Sequence, residues 1–288
     1  MHRLRPLLAL TLALLPLSCS QGGHAAPIPT EVVVQAASGK LPTDPLDAQW
    51  MHASEFQAPM IPQDMVEPRL MEPSTLAVRV RALTDGARIA FRLEWDDPSR
   101  EDLPMPAAFI DACAVQLPQK LAADVPAPQM GETGRPVEIT LWRASWQAMV
   151  EGRPDTLQAI HPNALPDHYP FAAASLADGS DAKREMMLRY APARALGNDL
   201  AGPRTNPVQD LVAEGPGTLA PAASTTSTGS GKRSQKGWSV VLTRNVPAEL
   251  APGKRTQVAF AVWQGAHEES GARKMRTGWT PLLMEAKP

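Results

Sequence analysis

From Leu76 to Trp95 the chain is written in a period of two, interrupted once. Leu76, Val78 and Val80 alternate with Ala77, Arg79 and Arg81. After Asp85-Gly86, Ile89, Phe91, Leu93 and Trp95 alternate with Arg88, Ala90, Arg92 and Glu94. Successive side chains of a strand point to opposite faces, so this pattern describes a sheet with one face buried and one wet. Asp-Gly between two such runs supplies the positive-φ residue of a tight turn. The segment therefore predicts an antiparallel hairpin, and the fold class depends on whether the rest of the chain can join it.

It can. Glu31–Ala36, Cys113–Leu117, Pro136–Trp142, Trp238–Arg244 and Thr256–Gln264 read as further strands. In Pro136–Trp142, Val137, Ile139 and Leu141 alternate with Glu138, Thr140 and Trp142; in Thr256–Gln264, Val258, Phe260 and Val262 mark the apolar face. Pro247–Gly253 is the connection between the last two strands. With 30 prolines in 288 residues, long helices are disfavoured, because proline lacks the N–H and clashes with the preceding turn. Short helices are expected near Ala48–Phe56, at Asp181–Tyr190 and at Pro207–Glu214. The expected fold is all-β, an antiparallel β-sandwich with a few short helices in its loops. One domain spans 27–288, and a Ser/Thr/Gly/Ala-rich stretch at 216–237 is read as a low-complexity loop outside the core.

Residues 1–26 read as a secretory signal peptide: Arg3 and Arg5, an apolar run from Leu7 to Leu17, then small residues including Ala25 and Ala26. Cys19, directly after that run, resembles the end of a lipoprotein signal, although Pro16 stands where leucine is usual. The apolar run is too short to span a bilayer and no later segment is longer, so no transmembrane span is expected. The expected location is the periplasm. A formal net charge of −2, with no basic field, argues against a nucleic-acid partner.

Several chemistries are excluded. There is no Cys-x-x-Cys-His for covalent haem, and two cysteines, Cys19 and Cys113, cannot hold an iron–sulfur cluster or a structural zinc. No phosphate-binding glycine motif and no nucleophile elbow occurs. Met51, Met60, Met65 and Met71 are spaced irregularly between prolines, which argues against a copper-binding methionine series. Asp96-Asp97, at a strand end, reads as solvated in preference to a calcium site, and His161, His168 and His267 read as surface histidines.

Two stretches remain. Pro128-Gln129-Met130-Gly131 runs through Arg135-Pro136 into the strand ending Leu141-Trp142. Trp263-Gln264-Gly265 runs through Gly271-Ala272-Arg273-Lys274-Met275-Arg276 to Trp279-Thr280-Pro281-Leu282. Each sets a potential iron ligand in a short glycine-bearing loop beside an apolar strand. These residues resemble the haem-binding gamma subunits of ethylbenzene dehydrogenase and its relatives, the gamma subunits of dimethylsulfide dehydrogenase, selenate reductase and chlorate reductase. Asp44–Trp50 is similar to that family's opening segment, Phe91–Asp97 to its Trp-x-Asp strand end, and Asp111–Pro118 to its Asp-x-x-x-x-Gln-x-Pro strand. The resemblance extends from about Leu41 to Leu283.

It implies one non-covalent haem b at one end of the sandwich, with Met130 and Lys274 as the axial iron ligands. Two protein ligands would leave no open coordination position, which implies an electron-transfer subunit and not an enzyme. The implied partners are a molybdenum-cofactor catalytic subunit, an iron–sulfur beta subunit and a periplasmic cytochrome. A lysine can ligate only as the neutral amine, so burial and the cationic neighbours Arg273 and Arg276 would have to lower its pKa; the same arginines could pair with haem propionates. Val115, Leu117, Ile139, Leu141 and Phe260 are the expected apolar walls. The alternative is a haem-free exported β-sandwich that binds carbohydrate or an assembly partner, with Trp50, Trp142, Trp146 and Trp279 as stacking platforms.

Overall fold

The computed structural model describes residues 29–122, 124–154, 156–163, 176–198 and 201–286. The expected signal peptide, with Cys19, lies outside the described residues, as does His168. Fourteen strands are present among the described residues. In chain order they are β1 (Val32–Ala36), β2 (Phe56–Pro59), β3 (Ile61–Pro62), β4 (Ala77–Thr84), β5 (Arg88–Asp96), β6 (Ala112–Pro118), β7 (Val137–Arg143), β8 (Val208–Ala213), β9 (Ala220–Pro221), β10 (Thr228–Arg233), β11 (Gly237–Asn245), β12 (Arg255–Trp263), β13 (Met275–Arg276) and β14 (Thr280–Met284).

Eleven of them form one continuous path, β10-β11-β5-β4-β1-β14-β12-β6-β7-β8-β9, while β2 pairs with β4 and β13 with β12 and β3. The path folds back on itself at β12. Residues Arg255–Val258 of β12 pair with β14, whereas Ala259–Trp263 pair with β6. The strands from β10 to β14 form a first layer, and those from β12 to β9 a second. The predicted β4–β5 hairpin is present, with Val80 opposite Leu93 and Gly86 at φ 96° in its turn. Most pairs are antiparallel; β1 is the exception, running parallel to both β4 and β14.

The layers meet through the apolar sets that the period of two picks out. Ile89, Phe91, Leu93 and Trp95 of β5 are all fully buried. Phe91 meets Phe260 of β12 edge to face at 6.4 Å between ring centroids, and Trp142 of β7 meets Trp95 at 6.4 Å and Trp238 of β11 at 5.0 Å. Each such side chain contributes roughly 1.5–3 kcal/mol by leaving water. Cys113, a free thiol, is buried among them as a small apolar residue.

Helices are short: α1 (Ala144–Val150), α2 (Leu157–Ile160), α3 (Asp181–Tyr190) and α4 (Pro192–Ala195). A 3-10 turn at Ala48–His52 is capped by the Asp47 carboxylate, which accepts from the Gln49 N–H at 2.8 Å, and it buries Trp50.

Two expectations are corrected. Pro207–Glu214 is not a helix but contains β8. Its alternation was hidden because Gln209 and Asp210, polar neighbours, are both accommodated, one on each face of the second layer. Residues 216–237 are not a loop throughout, since β10 pairs along its length with β11. The glycines that suggest low complexity are what lets this strand lie flat on the core. A Cβ on Gly231 would sit 2.3 Å from the Trp142 ring, and one on Gly229 would sit 2.4 Å from Val208.

Candidate functional site

The second layer has two apolar faces. Its inward face carries Cys113, Val115, Leu117, Trp142, Val208 and Phe260, all in the main core. The opposite set, Ala112, Ala114, Ile139, Leu141, Ala259 and Ala261, lines a cavity of about 610 Å³. That volume is within the range of about 300–1,000 Å³ usual for small-molecule and cofactor sites. The alanines explain the space: a β-methyl leaves unfilled what Val115 or Phe260 fills on the other face. Of the expected walls, Ile139, Leu141 and Phe260 line the cavity, whereas Val115 and Leu117 face the core. Both faces of β6 are buried, so alternation alone could not say which face turned which way.

Met130 enters the cavity from a strained turn. Its own φ is 69°, and Gly131 follows at φ 79°. Left-handed backbone in a non-glycine residue costs on the order of 1–3 kcal/mol and persists only where neighbours enforce it. Here they do: the Gly131 N–H donates to the Ala127 carbonyl at 2.9 Å, and the Gly215 N–H donates to the Met130 carbonyl at 2.8 Å. Gly131 admits no side chain, because a Cβ would lie 2.9 Å from the carbonyl oxygens of both Ala213 and Arg135. The Met130 side chain packs against the cluster formed by Ala114, Val137, Ile139, Leu211 and Ala213.

Lys274 comes from the segment between β12 and β13. Buried carboxylates anchor its base. Asp111 accepts from the Gly265 N–H at 2.9 Å, the Glu101 N–H at 2.8 Å and the Trp238 indole N–H at 3.0 Å. Burial nevertheless pushes the Asp111 pKa up to about 6. Glu269, also buried, accepts from the Gln264 N–H at 2.9 Å and from the Ser74 hydroxyl. Gln63 closes the far side. Its N–H donates to the Lys274 carbonyl at 2.9 Å, its amide nitrogen donates to the carbonyls of Val66 and Ala272, and its amide oxygen accepts from the N–H groups of Met65 and Val66. Sequence reading singled out none of Gln63, Asp111 or Glu269 as a support, although Asp111 stands in a quoted family segment.

These two loops bring Lys274 Nζ to 4.0 Å from Met130 Sδ, between residues 144 apart in sequence. The amine also lies 5.2 Å from the centre of the Trp263 ring. Among the described residues no carboxylate lies within ion-pair distance of it. Burial, with a smaller contribution from the Arg276 charge, lowers the Lys274 pKa to about 8. At pH 7 removal of its proton thus costs about 1 kcal/mol, against about 5 kcal/mol for a free lysine.

The other expected residues separate. Arg276 is buried and lines the cavity, with its Nη2 3.8 Å from Met65 Sδ and its Nε without a partner. Arg273 is half-buried and pairs with Glu268 at 3.8 Å. Met130, Lys274 and their cavity lie over the outer face of the second layer. Asp97, expected to be solvated, is buried. His161 and His267 are exposed, and Met51, Met65 and Met71 are exposed while Met60 is buried. Of the proposed sugar platforms, Trp50, Trp142 and Trp146 are buried. Trp279 is half-buried, with its indole N–H donating to the Pro126 carbonyl at 2.6 Å. Among the described residues no helix is long and apolar enough to cross a membrane, and no group of three or more His, Cys, Asp or Glu side chains could hold a metal ion.

The arrangement defines a class: a β-sandwich whose second layer presents a thioether and a low-pKa amine to each other across an apolar cavity. The chain belongs to the ethylbenzene dehydrogenase family, whose model matches residues 47–275 and so takes in both loops. A Haloferax mediterranei protein provisionally named respiratory nitrate reductase heme subunit ORF7 is 28% identical over 127 residues, covering 43% of this chain and 46% of that protein. The chain thus matches less than half the length of that relative. Among solved structures, a family 9 carbohydrate-binding module from Caldicellulosiruptor kristjanssonii in complex with cellotriose aligns at 9% identity and TM-score 0.41, over 89% of this chain and 94% of the module. The same kind of module in complex with glucose aligns at 8% identity and TM-score 0.37, over 89% of this chain and 97% of the module.

Proposed function

We propose that this chain is the haem-b-carrying, non-catalytic subunit of an exported molybdenum oxidoreductase complex, and that Met130 and Lys274 would hold the haem iron. The observation that carries the reading is the 4.0 Å separation of Lys274 Nζ and Met130 Sδ. It is on the scale of two metal–ligand bonds end to end, about 2.0 Å to nitrogen and about 2.3 Å to sulfur for a first-row ion such as zinc. A pair of donors suits an ion that brings further ligands of its own, as iron in a tetrapyrrole does.

Bound haem would supply reversible one-electron exchange at iron. The chain's own residues account for the rest. Met130, a soft thioether, would favour the ferrous state of a bound haem and raise its potential. The Lys274 amine, unpaired with any acid among the described residues, gives up its proton at small cost. Ala112, Ala114, Ala259 and Ala261 leave the volume, while Ile139 and Leu141 keep it apolar. With Met130 and Lys274 both given to the group, no position on it would be left for substrate, which supports electron transfer over catalysis. The membership of the family and the name of the Haloferax relative support the same reading. The partners would be a molybdenum-cofactor catalytic subunit, an iron–sulfur beta subunit and a periplasmic cytochrome. Residues 1–26 would direct export to the periplasm, with Cys19 a candidate for lipidation.

The test is the visible spectrum of the purified chain. A low-spin b-type spectrum in the wild type that becomes high-spin in Lys274→Ala supports the assignment. A wild-type chain with no Soret band, or a variant that stays low-spin, overturns it.

A further inference from the structure

The charges on the cavity wall are unbalanced. Lys274, Arg143 and Arg276 line it, against one acid, Glu269, whose oxygens are already taken by Ser74 and the Gln264 N–H. An apolar cavity with more cations than anions on its wall is incomplete, since charges removed from water are retained where a partner compensates them.

Arg143 is the clearest case. It closes β7 on the same face as Ile139 and Leu141 and reaches the cavity. Its guanidinium stands 5.5 Å from the Trp146 ring centre, and no hydrogen-bond acceptor or carboxylate meets it among the described residues. A second cation shares that ring. Arg204 lies 4.1 Å from the Trp146 centre, with its Nε donating to the Asn206 carbonyl and its Nη2 to the Val208 carbonyl. Burial, and then the Arg204 charge, lower the Arg143 pKa. Two like charges on one indole, the inner one unpaired and facing an apolar space, form half of an anion site.

Strand register places this site relative to the ligand pair. Arg143 is opposite Ala112, Ala112 is opposite Trp263, and Lys274 is the residue before Met275, which pairs with Val262. Arg143 and Lys274 therefore share one row of the sheet three strands apart, about 14 Å between backbones at about 4.8 Å per strand. Both side chains point into the same cavity from its two sides. Arg273, by contrast, has Glu268 as its partner.

We propose that Arg143, backed by Trp146 and Arg204, binds a carboxylate side chain of the tetrapyrrole held between Met130 and Lys274. This rests on the haem reading above and assigns the anchor to a residue that the sequence did not point to.

The experiment titrates apo-protein with haem and with its dimethyl ester, in the wild type and in Arg143→Met. A charged hydrogen-bonded partner makes about a tenfold to hundredfold difference in affinity. Wild type should prefer the free acid by that factor. Arg143→Met should lose the preference by weakening for haem alone, while its ester affinity, low-spin spectrum and melting curve stay as in the wild type. Equal haem affinity in the two proteins, or equal losses for haem and ester, overturns the proposal while leaving the haem reading intact. A wild-type chain that takes up neither compound removes both.

Discussion

The two faces of the second layer are made by the same strands and are both apolar, yet one is solid and the other hollow. Inward, Val115, Leu117, Trp142 and Phe260 interdigitate with the first layer. Outward, Ala112, Ala114, Ala259 and Ala261 leave a cavity of about 610 Å³ that two loops overhang. Hydrophobicity alone does not distinguish the faces; side-chain volume does. The inner face stabilises the fold, and the outer face reserves room for something the chain does not itself contain.

Three changes would break or sharpen that contrast. The largest effect is expected inside. Phe260→Ala removes a buried ring that meets Phe91, and chemical denaturation should show a loss of about 3–5 kcal/mol. Outside, Ala261→Leu puts bulk into space. It should change stability by no more than about 0.5 kcal/mol while weakening haem uptake about tenfold or more. If instead it destabilises like Phe260→Ala, the outer face is packed and the contrast fails. The smallest effect is in pH. In the proposed role Lys274 would bind iron only as the free amine, and its pKa is about 8. Lowering the pH below that value adds a proton that must be removed, so affinity should fall about tenfold per pH unit below 8 and level off above it. A titration following uptake from pH 6 to 9 checks the slope, and Lys274→Met should abolish it.

The fold was largely legible because its core strands keep a period of two. Ile89 to Trp95 and Val258 to Val262 turn inward as their spacing requires. Legibility failed where both faces are buried or side chains are missing. On β6 the two apolar sets looked alike, so Val115 and Leu117 were assigned to the cavity. On β10, Gly229 and Gly231 erased the pattern because their absent side chains are the packing. The site was legible only through resemblance. Nothing in spacing places Met130 beside Lys274 across 144 residues, and the neighbours that matter to Gln63, Asp111 and Arg143 include residues remote in sequence. Arg143 in particular read as an ordinary strand end, because the absence of a counter-ion shows only in three dimensions.

A haem held by Met130 would carry one sulfur on its iron. X-ray absorption at the iron edge of the haem-loaded chain should show a single sulfur scatterer at about 2.3 Å beside the nitrogens, and Met130→Ala should remove it while the ring nitrogens remain. A wild-type spectrum with no sulfur neighbour, or a sulfur signal unchanged in Met130→Ala, would contradict it.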